Sequence, residues 1–294
     1  MEEPVPDHAR RGPMRRSLIV LMLASLLALA GCTSPPPDTS GRPTEADAPV
    51  LNVFRFKKGD STDTRRAAMP VGTLYGDGRV IRPAPQPATE PAPALPSLQV
   101  TTIDSDGVEA VLKQAADSGL VGADRELRMP TEQDPTITAF EVFLNGKRRA
   151  TIVESLAEIA ADDPRLPPSG QAEREAMKMV VAMLTDPKAS LSASIVGEDT
   201  VYAPTAVRVL IGPAAGLEPS STEPTTLEWP LADLATTGDP VKGVEGVRCL
   251  VVDGSDWTKL EPLAVSANQL TKWSSGGAEY ALRFRPLLPG EGGC

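Results

Sequence analysis

One dipeptide constrains the fold of this chain more than any other feature: Asn145-Gly146, set between two β-prone runs at 136–144 and 147–153. A two-residue type I′ loop needs positive φ at both central positions, which asparagine and glycine accept. The strands it joins are therefore antiparallel, and the loop sets their register. Leu144 should face Lys147, and Phe140 should face Thr151. Because side chains alternate, Phe140, Val142, Leu144, Thr151 and Val153 share the core side. Glu141 and Arg148 fall on the other side, close enough diagonally to pair.

A second hairpin reads at 71–75 and 79–82 around Gly76-Asp77-Gly78, where the Asp77 carboxylate has turn chemistry to do. Residues 83–96 carry six prolines. A lone hairpin is marginal in water, so this stretch reads as a long surface loop that returns to the same sheet. Residues 98–103 follow as a strand. A helix over 106–117 has Val108, Val111, Leu112, Ala115 and Ala116 on one face, Asp104 or Ser105 as cap, and Glu109 and Lys113 at pairing distance. Beyond Pro167-Pro168, Ala172, Ala176, Met179, Val180, Met183 and Leu184 mark a second amphipathic helix that ends before Pro187. Strands are expected near 205–211 and 247–252, short helices over 256–260 and 267–273, and a last strand over 279–285. The expected class is α+β, with mostly antiparallel sheets and a few packed helices. The expected division is 50–165 with the Pro-rich loop 83–96, and 166–294, about a soft boundary near 160–170.

Ahead of the foldable part, Arg15 and Arg16 precede an apolar run of 13 residues at 18–30. As helix it reaches only about 20 Å, whereas a span needs roughly 20 apolar residues. Basic start, short apolar run and small residues together read as a secretory signal over 1–31. Three acids in residues 1–13 suit a signal poorly, so Met14 is a plausible true start. Residues 33–49 lack large apolar side chains and are expected to stay disordered as a tether following Cys32.

Leu29-Ala30-Gly31-Cys32 resembles the lipobox of bacterial lipoproteins. The resemblance implies cleavage before Cys32, diacylglycerol on its sulfur, acylation of its new amino group, and anchorage in a lipid bilayer facing the extracytoplasmic side. The arrangement of 71–153, with the run RCLVVDG…TKW…RFRPLLPGE…C, is similar to secreted lipoproteins of high-GC bacteria, and implies no activity and no site residues. For an exported chain the oxidising compartment favours a disulfide between Cys249 and Cys294, the two cysteines left beside Cys32.

Removing residues 1–31 takes the acids from 39 to 36 and the bases from 29 to 25, a net charge of −11. That is no footprint for nucleic acid. The one histidine, His8, goes with the signal, so His-dependent nucleophilic triads and His-ligated metal sites are absent in their usual forms. No cofactor is implied. Carboxylate chemistry remains, as in glycan hydrolysis. Its nearest acidic pairs, Asp104/Asp106 and Asp253/Asp256, sit where helices start and read better as caps. Asp104-Ser105-Asp106-Gly107 resembles a fragment of a calcium loop without its remaining ligands. Trp257 and Trp273 mark a candidate binding surface, to be weighed against a core that uses tryptophan for volume. The expected function is a non-enzymatic binding domain for an envelope protein, a wall polymer or a small ligand. The alternative is a carboxylate-dependent glycan hydrolase.

Overall fold

The computed structural model describes residues 41–294, apart from 87, 130–133, 161 and 218–221. Among the described residues two mostly antiparallel sheets form, with helices packed on them. The first sheet draws on β1 (Pro49–Lys57), β2 (Gly72–Tyr75), β3 (Arg79–Pro83), β4 (Leu98–Ile103), β5 (Arg125–Leu127), β6 (Thr136–Leu144), β7 (Lys147–Glu154) and β8 (Val196–Val201). Their order is β5-β7-β6-β1-β2-β3-β4-β8. The second draws on β9 (Ala206–Pro213), β10 (Thr226–Glu228), β11 (Asp239–Pro240), β12 (Arg248–Asp253), β13 (Lys272–Ser275) and β14 (Ala278–Pro286), in the order β10-β13-β14-β9-β12-β11. The helices are α1 (Thr62–Ala67), α2 (Ser105–Asp117), α3 (Pro168–Thr185), α4 (Pro187–Ser190) and α5 (Gly254–Ser266). The chain passes between the sheets at 202–205, downstream of the 160–170 break that the proline pair suggests.

The Asn145-Gly146 hairpin forms as its chemistry requires. The two residues take φ of 53° and 67°, Leu144 pairs Lys147 and Phe140 pairs Thr151. Phe140, Val142, Leu144, Thr151 and Val153 are buried. On the other face Arg148 donates to Glu141 at 2.6 Å. Asp104 caps α2 by accepting from the Gly107 N–H at 2.9 Å. The Glu109–Lys113 pair does not form. Lys113 turns to Asp117 instead, and Glu109 lies 3.9 Å from Arg42.

α2 and α3 pack together on the first sheet over an aliphatic core that includes Leu112, Met177 and Leu184. Each of these is fully buried, which contributes about 1.5–3 kcal/mol per side chain. A Cβ on Gly72 would lie 2.7 Å from Leu184 Cβ, so the glycine lets α3 sit directly on β2. The buried face of α3 is Arg174, Met177, Val180, Val181 and Leu184, while Met179 is 47% exposed. This corrects the expected stripe. The helix is turned because Arg174 faces inward and donates to the Glu154 carbonyl at 2.9 Å.

Three further expectations change. β1, unmarked in the sequence reading, is a central strand between β6 and β2. Residues 41–48, expected in the tether, lie against the first sheet's loops. There the Gly41 carbonyl accepts from Asn145 N–H at 2.6 Å and the Ala48 carbonyl from Gly76 N–H at 3.2 Å. A segment without apolar anchors can still be held by its backbone. The short helix expected over 267–273 is absent, and β13 starts at Lys272 because Trp273 is needed on the core face of the sheet.

In the second sheet Val207, Val209, Ile211, Leu282 and Phe284 bury one face against α5 and Trp229, Trp257 and Trp273. Trp273 meets Trp229 and Phe284 edge-on, at centroid distances of 5.8 and 5.4 Å. The Pro-rich loop joins the neighbouring strands β3 and β4, as expected. Its base is closed by Ala84 N–H to the Ser97 carbonyl at 2.9 Å. Its tip reaches the second sheet, where Ala94 N–H donates to the Ala267 carbonyl at 3.0 Å and Gln269 N–H to the Ala92 carbonyl at 2.9 Å.

Candidate functional site

Alternation along β9 and β14 turns Arg208, Arg283 and Arg285 away from the tryptophan core. Arg285 and Arg208 are direct cross-strand partners, and like charges directly opposite each other destabilise a sheet. Only Arg285 is neutralised. It is buried, and its two terminal nitrogens donate to the two Glu291 oxygens at 2.6 Å each, while Nε donates to the Ala68 carbonyl at 2.9 Å.

Among the described residues, Arg208 has backbone oxygens alone. It donates to Arg66 O at 3.0 Å, Gly292 O at 3.1 Å and Gly293 O at 2.7 Å. Its Nε is buried without a partner. Burial holds the Arg208 guanidinium below the usual arginine range. The Arg285 charge pushes the same way, Glu291 opposes it, and Arg66 adds to the depression.

α1 brings two more guanidiniums to the same place. Ser61 caps this helix by accepting from Thr64 N–H. Asp63 is buried and pairs with Arg283. Burial alone would raise the Asp63 pKa, but hydrogen bonds from Ser61 and Arg283 hold it below the usual carboxylate range. Arg66 donates to the Cys294 carbonyl, and exposed Arg65 lies over the Phe56 ring at 5.8 Å. Arg65, Arg66, Arg208 and Arg285 together line a cavity of about 440 Å³ with Phe54, Thr62, Ala68, Glu291 and Gly292. Glu291 is the one carboxylate side chain in that lining. Among the described residues no Asp or Glu side chain pairs with Arg65, Arg66 or Arg208, and Arg66 is held at the last residue of the sequence.

One wall of this cavity is the segment 287–294. Tyr202 donates to the Leu287 carbonyl at 3.0 Å and Tyr75 to the Pro289 carbonyl at 3.1 Å. The Cys249–Cys294 disulfide forms, fastening the segment to β12. Behind the segment lies a second cavity of about 570 Å³, which brings Asp47, Asp253 and Glu291 together with Arg79 and Tyr202. A third, of about 600 Å³, lies under the Pro-rich loop, with Pro93, Pro96, Leu210 and Phe284 in its lining.

The sequence-predicted residues distribute unevenly over this geometry. Cys32 lies outside the described residues. Trp257 and Trp273 are 5% and 0% exposed, so the candidate binding surface they marked is overturned. Both fill the core, and Trp257 Nε1 donates to the Pro204 carbonyl at 2.9 Å. Asp104 is a helix cap, Asp256 pairs with Lys259 at 2.8 Å, and Asp77 accepts from both the backbone and side chain of Arg79 in its turn. Among the described residues no group of three or more His, Cys, Asp or Glu side chains could hold a metal ion. The arginines were missed. The alternation Leu282-Arg283-Phe284-Arg285 does carry the signal for two of them on one face. No protein-family model, curated protein or solved structure matches this chain.

Proposed function

We propose that this chain is a bacterial lipoprotein, anchored through Cys32 in the extracytoplasmic face of a membrane, whose folded part is a binding module. The observation that carries the second half is the cavity lined by Arg65, Arg66, Arg208 and Arg285 with Glu291 as its one carboxylate side chain. A set of like charges brought together by two strands, a helix and a disulfide-fastened segment suits capture of an opposite charge. The first half rests on the lipobox and on the short apolar run. No described helix is long and apolar enough to cross a membrane. The module's partner is an envelope protein, a wall polymer or a small ligand.

Expression with an alkynyl fatty acid tests the anchor. Label on the wild type and none on Cys32→Ser supports it, and equal label on both sinks it. Purification from native envelopes in mild detergent, followed by native mass spectrometry, tests the module. A stoichiometric companion supports it, and a bare chain that also turns over a glycan contradicts it. The glycan-hydrolase reading has one observation in its favour: Asp47, Asp253 and Glu291 line a common cavity. Glu291 is already held by both terminal nitrogens of Arg285, and Asp47 lies 3.3 Å from Arg79. Asp253 alone stands without such a partner, and a glycosidase needs two carboxyls across the bond.

A further inference from the structure

The three cavities differ in how their charges balance. Under the Pro-rich loop the charged pair Asp63–Arg283 is already joined. Behind the 287–294 segment, Arg79 is met by Asp47 and Asp77. The cavity on α1, β9 and β14 keeps a surplus of positive charge, in a chain whose overall charge is −10. That surplus is costly. Arg208 and Arg285 face each other across the sheet, and the Arg208 Nε–H is buried with no acceptor. An unpaired buried donor has given up its water without a replacement. A bound anion would relieve the repulsion between the two guanidiniums.

We propose that this cavity is a binding site for a phosphoryl group carried by a small organic molecule, with Arg65, Arg66 and Arg208 as its donors. The assignment rests on the binding-module reading and names its ligand class. A phosphomonoester carries about −1.5 to −2 charge at pH 7 and three strong acceptor oxygens. It therefore answers three guanidiniums better than a single carboxylate does, and planar guanidinium forks match its oxygens. The cavity, about 440 Å³, is largely open to solvent. It leaves room for an organic moiety against Phe54 and Ala68. Glu291 stays with Arg285 and forms the edge of the site.

The phosphoryl group has two sources in an envelope, a soluble phosphomonoester or a phospholipid headgroup. Calorimetric titration of the full chain in mild detergent with glycerol 3-phosphate probes the first. Co-flotation of Cys32→Ser, which removes the proposed anchor, with vesicles of phosphatidylcholine containing or lacking phosphatidate probes the second. The expected result is binding in at least one arm. It should weaken with added salt and fall about tenfold in Arg65→Ala and again in Arg65→Ala/Arg66→Ala, since each removes a charge-assisted contact. Arg128→Ala, whose charge is paired with Glu126 outside the cavity, should bind as the wild type does. Arg65→Ala removes an exposed side chain, so its melting temperature should not move. Arg208→Gln should weaken binding as well.

Binding in the soluble arm assigns a free phosphomonoester, and binding only to phosphatidate vesicles assigns a headgroup. No binding in either arm, or binding unchanged in the arginine variants, overturns the proposal. If a companion from native envelopes is retained equally by wild type and Arg65→Ala/Arg66→Ala, the phosphoryl assignment falls and the binding module stands. If neither phosphate nor companion binds, both fall.

Discussion

The two sheets solve the same problem with different materials. The first is large, and α2 and α3 cover it with aliphatic side chains. The second is smaller, and fills its core with Trp229, Trp257, Trp273 and Phe284 around β9 and β14. A small unit buries too small a fraction of its surface to be secure. Large rings, a disulfide and borrowed cover from elsewhere in the chain compensate. The borrowed cover is what matters for function. α1, from the β1–β2 connection, and the 287–294 segment lie on the arginine face of the second sheet. The site belongs to neither sheet alone.

The sharpest way to break this comparison is to remove Trp273. Trp273→Ala should cost about 3–5 kcal/mol. The three tryptophans of the chain all lie in the second half, so urea denaturation followed by fluorescence reads that half, while far-UV circular dichroism reads both. Coincident transitions are expected. A surviving second transition by circular dichroism would show that the first sheet folds without the second. Next in size is the disulfide. It closes a separation of 45 residues, and Cys249→Ser/Cys294→Ser should lose about 4 kcal/mol in the chain-entropy model. An unchanged fluorescence midpoint in urea would mean that noncovalent contacts alone hold the 287–294 segment.

A pH titration sharpens the other side of the comparison. Glu154, buried in the first sheet, accepts from Lys58 Nζ and Met129 N–H at 2.8 Å each. The Lys58 hydrogen bond first, then the Met129 one, holds its pKa below the usual carboxylate range. The folded value is the lower one. Its contribution is therefore complete above the unfolded pKa and drains away as pH falls through the folded pKa. Glu154→Gln should cost about 1–3 kcal/mol at neutral pH and flatten the acid limb of a stability-versus-pH curve. If the wild type and variant lose stability in parallel below pH about 4, Glu154 is not the group responsible. At the small end, Lys113→Ala removes an exposed pair with Asp117 and should stay within about 0.5 kcal/mol by thermal melting.

The Asn145-Gly146 hairpin was legible because its information is local. Two residues dictate the turn, the turn dictates the register, and the register dictates the buried face. The face of α3 was not legible, because Arg174 occupies a buried position that a hydrophobic pattern leaves to solvent. The start of β13 was not legible, because Trp273 is placed by its packing against Trp229 and Phe284, which are remote from it in sequence. The site was the least legible part. Arg65 and Arg66 precede Arg208 by some 140 positions, and only the cross-strand register of β9 with β14 sets Arg208 beside Arg285. No window of sequence contains that neighbourhood.

The Pro-rich loop carries a last consequence. Joining β3 to β4 requires only a short turn, yet the chain spends residues 84–97 there and carries them across to Ala267 and Asn268. The surplus length works as a spacer of preset width. Proline-rich chain has little freedom left to lose on being laid down, so fixing the gap costs little entropy. The distance between the two sheets at that seam is thus written into the chain's own backbone.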